Sequence, residues 1–474
     1  MLPLFLFFAA CGNEPAQKTS SNSSSPENPA DANLSPATYL EGIYATSSAP
    51  GKILENLFDS NPATSWQTLP GTGPDEGIML YFQNALPIAS VEIVAAAGSF
   101  AKELPEGSDP PILIYTNGQI ASAGLPNARI AANGNGLVKS LFVRFVLTGN
   151  EETQILRQDE YDAYRYSYPT DASIALSELK VLNDKGETLR LVPPRSVKGS
   201  VAASSTLLPE AAYSPANLFD SRKEFVWAEG TASSGEGETL TFEFEQSVNI
   251  TAIQIWDGYQ RSDEHFSANA RLRNFDFGEK GGAARNYTLR DTKAGQKIEL
   301  SAPAKGAAFE LKINSVYPGK DYKDLAISDI VFYDGERPFV LRSALPEKYK
   351  TALRAQAASS PLAALLDKRI ANYIQEPASS VTQSLILRSD GTFVMYSEAR
   401  SDGDPDIAAF ADGNWEMLSG SQLKVFGKWS ELVNGAEYYE GVSRKNPTRI
   451  FKDVLTVDAA KVAGTKMLGT FYLK

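Results

Sequence analysis

Alternation with a period of two dominates this chain. In TLTFEF, residues 239–244, Leu240, Phe242 and Phe244 fall on one side and Thr and Glu on the other. FELKI, residues 309–313, repeats the pattern with Phe309, Leu311 and Ile313. VEIV (91–94) and FVRFVL (142–147) read as strands in the same way. Successive side chains of a strand point to opposite faces, so such runs predict half-buried strands. Gly, Pro, Asn and Asp punctuate them, which is the pattern of all-β sandwiches.

One phrase occurs twice. NLFDSNPATSW spans 56–66 and NLFDSRKEFVW spans 217–227, 161 residues later. The text after each copy corresponds as well. GIMLYF matches ETLTFEF, and IASVEIV matches ITAIQIW. LFVRFVL with ALSELKVLND matches FELKINS with AISDIVFYDG. The chain therefore contains two copies of one unit, 37–193 and 195–337, joined at Pro193-Pro194. Internal repetition on this scale decides the architecture.

After Arg337 the texture changes. Residues 345–376 are rich in Ala, Leu and Lys and predict a helical linker, broken near Ser359-Ser360-Pro361. The apolar stripe ALRA, LAALL, ANYI is expected to pack on a β-domain. From Thr382 strands resume: SLILRSDGTFVMYSE reads as a hairpin around Ser-Asp-Gly. Residues 380–474 predict a small antiparallel β-barrel, and Asp-Gly-Thr-Phe and Gly-Asn-Trp resemble lipocalin phrases. The fold class is mainly β: two tandem jelly-roll sandwiches, a short helical linker and a small C-terminal barrel.

Composition narrows the chemistry. At 474 residues the chain suggests about three domains. Residues 345–474 hold 16 Lys/Arg against 15 Asp/Glu, so the net charge of −12 leaves −13 on 1–344. That disfavours nucleic acid, whose binding takes clustered Lys and Arg. One His (His265) and one Cys (Cys11) remove Cys/His zinc sites, haem ligation, Cys–His nucleophiles and intrachain disulfides. No Gly-x-Ser-x-Gly elbow accompanies His265. GEGE (235–238) and GEKGG (278–282) lack the ending and setting of a phosphate loop and read as turns. Glu229, Glu236 and Glu238 could supply acids for glycoside hydrolysis, but sequence places no two of them at a working separation.

The start, MLPLFLFFAACGNE, is an apolar run too short to span a bilayer, which takes roughly 20 residues. It suits the apolar region and small-residue end of a secretory signal. FAAC resembles the lipobox of bacterial lipoproteins, which makes 1–11 signal peptide and lipobox and implies that Cys11 becomes the acylated N-terminus after cleavage before it. No Lys or Arg precedes the run, a departure that allows a start further upstream. Residues 12–36 are polar and read as a disordered tether. At roughly 5–6 Å × √n it reaches about 25–30 Å. The resemblance implies a lipid-anchored protein of the bacterial cell envelope, and Gly12 after the Cys points to the outer membrane.

Asn-Leu-Phe-Asp with Trp seven residues after the Asp, and a closing Ser-Glu/Asp-aliphatic, resemble the discoidin (galactose-binding-like, coagulation-factor C-type) family. Asp59/Trp66 with Ser177-Glu178 and Asp220/Trp227 with Ser328-Asp329 fit that frame. VWAEGTASSGEGETLTFEF, IQIWDGYQRSDEHFSANARLRNF and INSVYPGKDYKDLAISDI make the second copy similar to the discoidin-like, glycan-binding and translocation module of bacterial NAD-glycohydrolase toxins. No segment resembles their NAD-cleaving domain. The resemblance requires no cofactor but leaves room for structural Ca²⁺. Asp59, Thr64 and Glu178 take the matching positions in copy one. Copy two keeps Asp220 and Asp329, but Phe225, without a side-chain oxygen, replaces the Thr. The same Asp residues suit Asx turns, and Trp66 and Trp227 suit a core.

In such sandwiches ligands meet loops at one end, where a sugar needs an aromatic face and groups that fix its hydroxyls. Copy two offers Tyr259, Gln260, Arg261, His265, Asn269 and Arg271 from one loop, and Tyr317, Lys320, Asp321 and Tyr322 from another. Copy one offers Tyr161, Tyr164, Tyr166 and Tyr168 in RQDEYDAYRYSYP. The bland alternative is that tyrosines prop the loops and charges are solvated. The expectation is a non-enzymatic protein that binds a glycan or glycoprotein through its second copy. The alternatives are an envelope scaffold or adhesion protein binding another protein, and an envelope hydrolase.

Overall fold

The structure is a computed structural model. It describes residues 36–49, 51–68, 76–96, 112–117, 119–132, 136–145, 152–157, 162–167, 173–376, 379–389, 391–401, 407–433, 449–465 and 468–473. Cys11 and the tether up to residue 35 lie outside the described residues. Ala37–Lys474 is one compact unit.

The first copy is a two-sheet sandwich. One sheet holds β1 (Ala37–Ala45), β3 (Glu76–Leu86), β5 (Ile112–Thr116), β6 (Gln119–Gly124), β8 (Val138–Phe145) and β12 (Arg190–Val192), in the order β12-β1-β3-β8-β5-β6. The other holds β2 (Trp66–Gln67), β4 (Ile88–Ala95), β7 (Arg129–Ala131) and β11 (Ala175–Asn183), in the order β2-β11-β4-β7. Trp66, Phe82, Ile93, Leu141 and Leu176 belong to one buried cluster drawn from both sheets.

The second copy repeats this plan with its two sheets fused. Its strands are β13 (Arg195–Ala203), β14 (Trp227–Ala228), β15 (Thr239–Asp257), β16 (Arg271–Glu279), β17 (Arg285–Thr288), β18 (Gln296–Tyr317), β19 (Ala326–Asp334) and β20 (Arg337–Ser343). The order is β14-β19-β20-β13-β15-β18-β16-β17, and β19 also pairs with β15. β15 and β18, 19 and 22 residues long, run through both layers. The register shifts along their pairing mark the bends. The equivalence is close: β1 lies parallel to β12 and antiparallel to β3, as β13 does to β20 and β15. Trp66 stands opposite Leu176, and Trp227 opposite Ile327.

The repeated phrase has one physical job in both copies. Each starts with a 3-10 turn, Leu54–Phe58 or Pro215–Phe219. Asn56 Nδ2 donates to Ser65 O at 2.8 Å, and Asn217 Nδ2 to Val226 O at 2.9 Å, both nine residues on. Asp59 Oδ1 accepts from the Asn61 N–H at 2.9 Å, and Asp220 Oδ1 from the Arg222 N–H at 2.7 Å. The residue between, Ser60 or Ser221, sits in the left-handed region at φ 58° or 59°. These Asx bonds compensate that strained backbone. The closed loop delivers Trp66 and Trp227 fully buried into their cores. Each indole N–H finds a carbonyl, Ser47 O or Ser205 O.

The remaining strands are β21 (Arg369–Glu376), β22 (Ser379–Leu387), β23 (Thr392–Ser401), β24 (Ile407–Ser419), β25 (Gln422–Val433), β26 (Arg449–Val457), β27 (Lys461–Gly464) and β28 (Thr470–Tyr472). They form an antiparallel meander around Trp415, Leu385, Val425 and Phe471. α2 (Leu345–Ala357) precedes it and seals this core with Leu353 and Ala357.

Two sequence expectations are corrected here. The helical linker does not reach residue 376: after α2 and a 3-10 turn at Pro361–Ala364, ANYI lies in β21. β21 has strand partners on both sides, and ladder pairing overrides weak helix propensity. The tyrosine-bearing stretch of copy one is strand, not loop, over residues 162–167. β9 (Glu152–Arg157) and β10 (Asp162–Ser167) form a hairpin that leaves the first sandwich and pairs β10 with β21, extending the C-terminal sheet to ten strands. Alternation in DAYRYS supports that pairing. Tyr164 and Tyr166 are strand residues; Tyr161 and Tyr168 lie outside the described residues.

A buried carboxylate joins the two sandwiches. The β1–β3 register slips between Leu40 and Gly42, which places Glu41 at a bulge. The bulge reverses the alternation. Leu40 packs in the first core before it, and Ile43 and Ala45 after it, while Tyr44 joins the cluster with Met79, Tyr115 and Phe142. Glu41, 2% exposed, accepts from Lys139 Nζ at 2.9 Å in its own sandwich. From the second sandwich it accepts from Lys223 Nζ at 3.3 Å and Gln254 Nε2 at 3.2 Å. The Lys223 ammonium lies 3.8 Å from the Tyr81 ring centre and 4.1 Å from that of Trp256. Burial pulls the Lys223 pKa down, against the pull of Glu41 and Asp329. A Cβ at Gly42 would lie 2.9 Å from Ser221 Oγ, so glycine permits the close docking of the second entry loop on β1.

The repeated-loop geometry has a measurable consequence. Asn217 Nδ2 donates to both Ala212 O and Val226 O, whereas Asn56 Nδ2 donates to Ser65 O. Asn217→Ala is expected to cost about 1–3 kcal/mol, and Asn56→Ala less. Urea unfolding followed by tryptophan fluorescence reads both; unchanged midpoints would remove the loop-closing role.

Candidate functional site

The loop end of the second sandwich is built around α1 (Asp263–Ala268), a six-residue helix. Ser262 caps it, its Oγ accepting from the His265 N–H at 3.1 Å. Asn269 ends it, its Nδ2 donating to His265 O at 2.9 Å. The loop 318–323 lies against this helix. The Lys320 N–H donates to Ser267 O, and those of Asp321 and Tyr322 donate to Ala268 O, at 2.9, 3.0 and 2.8 Å. A Cβ at Gly319 would come within 2.5 Å of Ala268 O, so that contact requires glycine. The backbone is thus pinned while Lys320, Asp321 and Tyr322 stay exposed, Tyr322 at 53%.

The ten predicted residues of this end divide into two groups. Lys320, Asp321 and Tyr322 form the open rim, with Asn269 half-buried beside them. The others mostly hold the loops. Tyr317 donates its hydroxyl to Leu289 O at 3.0 Å. Arg271 pairs with both oxygens of Asp291 at 2.9 and 2.8 Å and also donates to Asn269 O and Pro318 O. That pairing raises the Arg271 pKa and holds the Asp291 carboxyl below its ordinary value. Tyr259 is 7% exposed and packs on the His265 ring at 4.5 Å between centres. His265 Nδ1 also lies 3.1 Å from Ser262 Oγ. Gln260 uses its amide on Asp257 O and its N–H on Ser328 Oγ.

Arg261 departs furthest from the expectation. It is 6% exposed and points away from the rim, into the junction with the C-terminal domain. Its Nε donates to Glu224 O and its Nη2 to Asn414 Oδ1, both at 3.1 Å. Its guanidinium also lies 5.5 Å from the Phe225 ring centre. Phe225, read as a lost oxygen ligand, is therefore an aromatic seat for Arg261 and for Arg222, 4.2 Å away.

Sequence reasoning missed Asp257, the floor of this end. It is fully buried at the end of β15, and its Oδ1 accepts from the Gly258 and Leu272 N–H groups, both at 2.8 Å. That ties β15 to β16. Oδ2 has no partner among the described residues, and burial pushes the carboxyl well above its ordinary pKa. The signal was Asp-Gly within WDGY: Gly258 turns at φ 72° directly after it.

The side chains at the calcium positions make hydrogen bonds and ion pairs within the protein. Asp59 Oδ2 accepts from the Thr64 hydroxyl at 2.8 Å and Oδ1 from a backbone N–H, so both oxygens already close the loop. Glu178 lies 3.3 Å from Lys180 Nζ. In copy two, Asp329 Oδ1 accepts from the Ile330 N–H, and burial raises both the Asp220 and Asp329 carboxyls toward the neutral form. Among the described residues no three His, Cys, Asp or Glu side chains are grouped as a metal site. The glutamates considered for hydrolysis are not paired either. Glu229 is fully buried with Oε2 held by Thr231, Glu238 accepts from Ser204, and Glu236 is exposed.

Comparison with curated proteins finds no match. Among solved structures, arabinofuranosyltransferase AftD from Mycobacteria aligns over 91% of this chain at 12% identity and a TM-score of 0.26; this chain spans 40% of that one. The CBM32-1 and CBM32-2 domains of Clostridium perfringens ZmpB align over 62% of this chain and 92% of that one, at 12% identity and TM-score 0.23. A pectin-binding carbohydrate-binding module aligns over 30% of this chain and 95% of that one, at 18% identity and TM-score 0.21. Residues 195–333, the second sandwich from β13 into β19, match the family model described as the NAD glycohydrolase translocation F5/8 type C domain.

Proposed function

We propose that this chain is a carbohydrate-binding protein of the bacterial cell envelope, lipid-anchored through Cys11, that recognises a glycan or glycoprotein with the rim of its second sandwich. The observation that carries the reading is the pinned loop 318–323: its backbone is fixed on α1 while Tyr322, Lys320 and Asp321 remain open to a ligand. Membership of residues 195–333 in a discoidin-type family supports the choice of that end. Tyr322 offers an apolar face for the C–H side of a sugar ring. Lys320 donates to hydroxyl oxygens and Asp321 accepts from hydroxyl protons. The reading is non-enzymatic: the residues that could do chemistry at this end, His265, Arg271 and Asp257, have structural uses.

A glycan array probed with the full chain is expected to give saturable binding. Tyr322→Ala should weaken it about tenfold or more, a loss of about 1.4 kcal/mol, with the melting temperature unchanged. Array binding that survives Tyr322→Ala at full strength would move the glycan site off the rim, and a blank array beside specific capture of an unglycosylated protein would replace this reading with a protein scaffold.

The anchor is tested separately. Cys11→Ser should move the chain from the membrane fraction to the soluble fraction. Retention of the variant in membranes would contradict acylation at Cys11.

A further inference from the structure

A cavity of about 270 Å³ lies where the two sandwiches, α2 and the C-terminal domain meet. The rim does not use it. Tyr44 and Thr46 wall it from the first sandwich, Asp220 and Phe225 from the second entry loop, Tyr349 from α2 and Asn414 from β24. At about 30 Å³ per water it has the room of about nine waters, the size class of one sugar ring.

Two wall groups keep hydrogen-bonding capacity that the described protein does not use. Asp220 accepts the Arg222 N–H at Oδ1, and its Oδ2 has no partner among the described residues. Asn414 accepts from Arg261 at Oδ1, and its Nδ2 has no partner among the described residues. The charges of the wall are engaged. Arg222 donates twice to Glu224 Oε1, at 2.9 and 2.7 Å, and Arg388 is buried with a partner of its own.

We propose that this junction cavity is a second binding site, separate from the rim, for a neutral hydroxyl-bearing ligand of monosaccharide size held by Asp220 and Asn414. A hydroxyl answers both groups, because it accepts from the Asn414 amide and donates to Asp220 Oδ2. An anion would meet the Asp220 carboxyl, with the Arg222 guanidinium already held by Glu224. A cation would meet two arginines, Arg222 and Arg388. Tyr44 and Phe225 supply the apolar wall. A ligand here touches both sandwiches and the C-terminal domain, so its binding also stabilises their docking.

The test is calorimetric titration of the full chain with D-galactose, D-glucose and N-acetylglucosamine, each alone. At least one is expected to bind at a site that Tyr322→Ala leaves intact. Asn414→Asp keeps the acceptor for Arg261 and removes the free donor; it should weaken that binding about tenfold. Asp220→Asn keeps the acceptor for Arg222 and provides a second reading if Asn414→Asp fails to fold. The bound sugar should also raise the melting temperature of the wild type but not of these variants. The proposal is overturned if none of the three sugars binds, if both cavity variants bind as the wild type does, or if Tyr322→Ala abolishes all binding. Rim failure reads differently: array binding indifferent to Tyr322→Ala leaves the cavity titration untouched.

Discussion

The arrangement of the sandwiches depends on one shared carboxylate. Glu41 is all but removed from water, and its partners come from both copies: Lys139 from its own, Lys223 and Gln254 from the other. An ion buried this way is costly unless every part of its shell is present. Undocking would strip Glu41 and Lys223 of each other. Around that contact Lys223 fits between the Tyr81 and Trp256 rings, and Tyr333 holds the Gln254 amide with its hydroxyl. Buried ionic contacts often add little net stability compared with an apolar contact. Here the contact specifies one docking geometry, because the charges accept no other register.

That constraint explains how the two copies have diverged. Both keep the Asn–Asp–Trp loop that closes a sandwich, down to the same side-chain hydrogen bonds. In the second copy the residues after the shared phrase also dock outward: Arg222 lies over Tyr44, Lys223 reaches Glu41, and Phe225 seats Arg261. The loop that closes the second sandwich is therefore also the loop that fixes its neighbours. α1 and loop 318–323 do the opposite: a pinned backbone leaves Tyr322, Lys320 and Asp321 exposed. The hairpin β9–β10 adds a further tie, lending strands of the first sandwich to the C-terminal sheet.

Much of this was legible in the residues. Period-two runs and the duplicated phrase pointed to the tandem sandwiches, because burial on one face of a strand leaves a local signature. The C-terminal strands were readable for the same reason. What escaped the sequence was long-range. Nothing in DAYRYS says that its partner is β21, two hundred residues on, and nothing in RIANYIQE distinguishes a paired strand from a helix end. Glu41 in TYLEGIYA reads as a solvent-facing residue until the second sandwich docks over it. The loop end was readable only by class: the sequence offered aromatic and charged loop residues, but position in the fold divided exposed Lys320, Asp321 and Tyr322 from Arg261 and Arg271, whose guanidiniums were already committed. Asp257 shows a related case: Asp-Gly in WDGY marks the turn at Gly258 but not the full burial of the acid before it.

The most direct measurement is a double-mutant cycle on the docking contact, using Glu41→Gln, Lys223→Met and the pair, with unfolding free energy as the readout. If the sandwiches are locked through that contact, the two substitutions are non-additive, with a coupling of about 1–3 kcal/mol. Strict additivity, with each single variant near the wild type, would contradict the account of one docked body.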